Sequence, residues 1–148
     1  VQTLVKATVN GAQVRVPTVF EDVGQVRFKL AMKNPASATS PANFITVNRF
    51  RVVFRRTDGR NTPGVDVPFG YDGAMTVTVG AEPVSAGFTL VRIQSKSESP
   101  LLALIGGGGA RAITTLAEIT FYGTDQAGRD VVATANISIT FADWGDPE

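Results

Sequence analysis

Apolar and polar residues alternate with a period of two through most of the chain, the repeat of an extended strand with one buried face. Val1, Thr3, Val5, Ala7 and Val9 alternate with Gln2, Leu4, Lys6, Thr8 and Asn10, and this run ends at the turn pair Asn10-Gly11. Val14, Val16 and Phe20 carry a second short strand, where Pro17 marks an edge or a bulge. Residues 25–33 set Val26, Phe28, Leu30 and Met32 against Arg27, Lys29, Ala31 and Lys33. After a Pro/Ser/Thr-rich loop over 34–43, Phe50, Val52 and Phe54 alternate with Arg49, Arg51, Val53 and Arg55 up to Thr57-Asp58-Gly59. A turn-rich stretch with a short extended piece at Val65 and Val67 leads to Met75, Val77 and Val79, then to a strand through Phe88, Leu90 and Arg92. Two long strands close the chain, Ile113 to Tyr122 and Val131 to Phe141, joined as a hairpin by the polar turn at 124–130.

No ten-residue stretch holds the 3, 4, 7 spacing of an amphipathic helix, so helix is confined to a turn or two near Pro100 to Ile105. Composition agrees: Val, Ile and Thr number 42 of 148 residues against 7 Leu, 5 Glu, 5 Gln and 4 Lys, so β-branched residues displace the straight-chain helix formers. About eight strands with frequent turn signals predict an all-β fold, and a mostly antiparallel β-sandwich is favoured over a closed β-barrel. Two inner faces account for one apolar face per strand, and the long connections over 34–43, 56–73 and 95–111 can cross between sheets. With 43% apolar residues the chain can fill one continuous core. One domain over 1–142 with an acidic tail over 143–148 is expected.

The stretch Ile119 to Asp130, with its Asp125-Gln126-Ala127-Gly128 turn, followed by the alternating Ala133 to Phe141, resembles the final hairpin of bacterial immunoglobulin-like domains. The resemblance centres on residues 113–141. It implies an immunoglobulin-like sandwich of the kind used for adhesion, spacing and assembly, with 56–73 and 95–111 as two long inserted loops. The chain departs from that pattern in exceeding the ~100 residues of a minimal domain. It also lacks the paired cysteines and core tryptophan of antibody domains, its Trp144 lying in the tail.

Neither histidine nor cysteine occurs. Nucleophile–histidine systems, the usual zinc ligand sets, iron–sulfur clusters and disulfides are thereby excluded, and no enzymatic activity is expected. The first residue is Val rather than Met, as in a processed chain or an excised fragment, and an extracytoplasmic bacterial protein, secreted, periplasmic or at the cell surface, is the expectation. No run approaches the ~18 apolar residues that cross a bilayer as a helix.

Three groups of residues invite a functional reading. If the strands at 25–33 and 47–55 share a sheet, Arg27, Lys29, Lys33, Arg49, Arg51 and Arg55 form one basic surface, suited to an acidic polysaccharide or a protein. A net charge of +1 and the lack of interleaved aromatics argue against nucleic acid. The tail offers Asp143, Asp146 and Glu148 beside Trp144, an aromatic anchor that either docks on a neighbouring copy or folds back on its own sandwich. Asp58, Asp66 and Asp72 provide the oxygen ligands that calcium takes, although turn capping explains the same residues.

Two further segments are ambiguous. The Gly106 to Gly109 run lacks the Lys and Ser/Thr of a nucleotide loop, and the terminal strand Val1 to Val9 can add to another molecule's sheet edge or complete its own. The function expected is a non-enzymatic extracytoplasmic structural or interaction module, self-associating as a surface or filament subunit, with copies of itself as partner. The alternative is a carbohydrate-binding or adhesion module in which Tyr71, Tyr122 and Trp144 stack on sugars.

Overall fold

The computed structural model describes residues 1–34 and 36–144. Among these, eight strands form: β1 (Thr3–Val9), β2 (Ala12–Thr18), β3 (Asp22–Phe28), β4 (Ile45–Arg55), β5 (Tyr71–Val79), β6 (Val84–Val91), β7 (Ala112–Asp125) and β8 (Asp130–Ala142). Helix is limited to one short turn, α1 (Ile93–Lys96), and two 3-10 turns at Pro41–Asn43 and Leu101–Leu104. Every strand pairing is antiparallel. The strands make a four-stranded sheet in the order β5-β4-β7-β8, a two-stranded sheet β3-β6, and a separate hairpin β1-β2. No sheet closes on itself, so the architecture is a sandwich and not a barrel.

The β3-β6 pair packs over the four-stranded sheet through aromatic rings. Phe88 on β6 meets Phe50 of β4 at 5.3 Å and Phe121 of β7 at 5.4 Å, and Phe28 of β3 meets Phe121 at 5.0 Å. A bulge at Asn48 lets Val47 and Phe50 both face inward although they are three positions apart, because the register shifts between Val47 and Arg49. The Tyr71 hydroxyl donates to the Thr89 carbonyl at 2.7 Å and ties β5 to β6, which shuts one side of the sandwich.

The connection after β6 contributes to the core instead of looping free. Leu101 and Leu104 of its 3-10 turn are buried, and Lys96 of α1 pairs with Asp22 at the head of β3, Nζ to Oδ1 2.7 Å. The strand expected over 25–33 begins earlier and ends at Phe28. Leu30, beyond its end, still packs against the core, so the apolar alternation continues past the ladder itself.

Candidate functional site

β3 and β4 lie in different sheets, which corrects the expectation of one six-charge surface. Arg27 projects from the outer side of the β3-β6 sheet, and Lys29 and Lys33 follow its end. Arg49, Arg51 and Arg55 project from the opposite outer side, that of the four-stranded sheet. There they are largely neutralised: Asp72 accepts from Arg51 at 2.5 Å and from Arg49 at 3.4 Å, and Arg55 lies 3.7 Å from Glu118. Arg49 also covers the Tyr122 ring at 4.0 Å.

The three aspartates expected as calcium ligands do not converge. Asp58 binds the Arg56 guanidinium, which with the Arg60 amide holds its carboxyl below the usual range, Asp66 pairs with Arg60 at 3.0 Å, and Asp72 sits on the arginine face. Among the described residues no group of three acidic side chains gathers as a metal site. Nor do the three aromatics form a sugar platform, because Tyr71 is a core residue whose phenol is pushed up by burial.

The described part of the tail, Asp143 and Trp144, folds back on its own chain. Asp143 accepts from the Gly106 amide at 2.7 Å and from the Gln2 amide at 3.2 Å, and the Val1 nitrogen donates to the Ala142 carbonyl at 2.7 Å. Partial burial pushes the Asp143 carboxyl up, but the two amide donors together with the Val1 ammonium, 3.6 Å away, outweigh it and hold the group below the ordinary carboxylate range. Trp144 lies on Gly109, where a side chain would meet the indole at 3.0 Å, yet the ring stays 63% exposed. The glycine run therefore serves as the seat of the tail, with Gly106, Gly108 and Gly109 all at positive φ. Asp146 and Glu148 lie outside the described residues.

Two further surfaces stand out, one built on the terminal strand that the sequence offered for edge addition and one that the sequence did not single out. The first is the β1-β2 hairpin. Asn10 at φ 50° and Gly11 at φ 79° form the type I′ turn that a two-residue hairpin favours. The register, Val5 opposite Val16 and Ala7 opposite Val14, assembles Val5, Ala7, Val9, Ala12, Val14 and Val16 on one face. Lys6 stands directly opposite Arg15 on the other. Neither strand packs along another element, and Val5, Val9, Val14 and Val16 remain 36–49% exposed. An isolated two-stranded ribbon is at best marginal in water.

The second surface is the side of the sandwich opposite the Tyr71–Thr89 tie. β3 and β8 are both edge strands, and the inward row of β8 (Val131, Ala133, Ala135, Ile137, Ile139) lies along an open apolar seam between them. A recess of about 170 Å³ lies between Val26, Phe88 and Ile137, and one of about 240 Å³ runs from Phe28, Phe121 and Ala133 to Ile45, Val47 and Val79 at the end of the sandwich. Ile137 is 46% exposed although it points to the same side as buried Ala117 and Ile119. The β3-β6 sheet faces the four-stranded sheet with two strands against four.

The polar turn at 124–130 is self-contained: Asp125 accepts from the amides of Ala127 and Arg129, both at 2.9 Å, and from the Arg129 guanidinium. Comparison of the chain with family models, with curated proteins and with solved structures finds no match.

Proposed function

We propose that the protein is a non-enzymatic extracytoplasmic structural or interaction module that works by self-association. The observation that carries this reading is the apolar face of the β1-β2 hairpin, held out from the sandwich with no element packed over it among the described residues. Exposed valines along a preformed strand pair lose free energy when a second apolar surface removes them from water, at roughly 25 cal/mol per Å². The open edges of β3 and β8 support the same reading, since long uncovered edge strands are templates for pairing with another chain.

Light scattering of the purified chain over a wide concentration range tests this. The expected result is a mass that rises with concentration and is insensitive to salt, because the contact is apolar. A mass that stays at one chain throughout removes the reading. Fractionation of the source cells tests the compartment, with the protein expected outside the cytoplasm.

A further inference from the structure

We infer that the β1-β2 hairpin of one copy fills the β3/β8 seam of a second copy, reciprocally, in a closed dimer. This rests on the self-association reading above and names its contact. The two surfaces are complementary in kind: an apolar ribbon with no element packed over it among the described residues, and a sandwich with two strands against four. Valines at 5, 14 and 16 face a row that is small in its middle, Ala133 and Ala135, where the seam is recessed. Insertion turns Lys6 and Arg15 outward to water.

The hairpin is poorly suited to its own seam. Folding it back about residues 19–21 would lay β2 beside β3. The Asn10-Gly11 turn makes Val9/Ala12 a hydrogen-bonded pair, and alternation along the register then makes Leu4/Pro17 a pair whose backbone groups point away from each other. Pro17 thus occupies the free edge of β2 with no N–H to give, next to the bend where such a ladder would start. The root is also held at β8, through Val1 to Ala142 and Gln2 to Asp143. The free edge of β1, at Leu4, Lys6 and Thr8, keeps all its donors and is the edge available to a partner.

Pairing hairpin with hairpin would leave both seams bare. Insertion covers both surfaces at once, and area favours reciprocity. A seven-residue strand pair offers a face about 23 Å by 10 Å. One insertion therefore hides about 460 Å², in the range of a chance contact, whereas two reciprocal insertions with their strand edges approach the ~1,000 Å² of a specific interface.

The absence of cysteine makes the test clean. Double variants that join an arm position (Val5→Cys or Val14→Cys) to a seam position (Ala135→Cys or Ile137→Cys) in one chain are oxidised, and products are mapped by non-reducing electrophoresis and peptide mass spectrometry. At least one of the four combinations is expected to give a covalent dimer linked arm to seam, exceeding arm-to-arm linkage by about tenfold or more. A cross-linked monomer would place the arm in its own seam, and a ladder of larger species would replace the closed dimer with an open chain. Arm-to-arm bridges alone, or no bridge in all four, also overturn the inference. Light scattering of the unmodified chain separates the two levels: association without arm-to-seam bridges defeats this contact only, whereas a persistent monomer defeats the proposed function as well.

Discussion

Phe28 and Phe121 meet edge to face with their ring centroids 5.0 Å apart and their planes at 88°, and this contact seats the short β3-β6 sheet on the long one. Phe121 also packs against Phe50 and Phe88, so one side chain of β7 meets three other strands of the core. Phe121→Ala should cost about 3–5 kcal/mol through lost burial and the cavity left behind. Urea unfolding followed by circular dichroism checks this, and a loss below 1 kcal/mol would mean that the two sheets are not coupled through this ring.

Thr115 offers the opposite change. Its hydroxyl is buried on the inner side of β7 with no hydrogen-bond partner among the described residues. Thr115→Val removes an unsatisfied polar atom at nearly constant volume and should raise stability by about 1 kcal/mol. A destabilised variant in the same urea experiment would show that the hydroxyl has found a partner.

The tail seat should respond to acid. Asp143 has a depressed pKa in the folded chain, so its contribution is complete above the unfolded value of about 3.9 and is lost as pH falls through the lower folded value. The amide resonances of Gly106 and Gln2 are expected to shift together below about pH 4, and Asp143→Asn should abolish that titration. Independent movement of the two amides would contradict a shared carboxylate.

Much of this architecture was readable from residue order. Strict alternation placed Phe50, Val52, Phe54 and Phe88 in the core, and the Asn10-Gly11 pair and the Asp125 to Gly128 turn marked two hairpins. Which strands share a sheet was not readable, because alternation reports a face and not a neighbour. Arg27 and Arg51 carry the same pattern yet project from opposite sides of the sandwich. The seam escaped notice for the same reason: Ala133, Ala135 and Ile137 form an ordinary inward row, and only the number of strands in the facing sheet shows that the row is left partly open. A signal for the hairpin did exist, since Ala12, Val14, Val16 and Thr18 match Thr3, Val5, Ala7 and Val9 across the turn.

The hairpin valines should matter for association and not for folding. Combined Val5→Lys and Val14→Lys substitutions are expected to leave the unfolding transition of the dilute chain within about 0.5 kcal/mol of the parent, because both side chains are exposed there. Charges on that face should suppress the concentration-dependent rise in mass. Loss of the folded sandwich itself would contradict an arm that stands apart from the core.

Hydrogen exchange along residues 3–18, measured at several protein concentrations, tests the central claim most directly. The arm's amides are expected to exchange rapidly in dilute solution and to become protected as concentration rises, in step with the amides of β3 and β8 at the seam. Protection that is already present in dilute solution, or that never develops, would contradict an arm whose cover is a second copy.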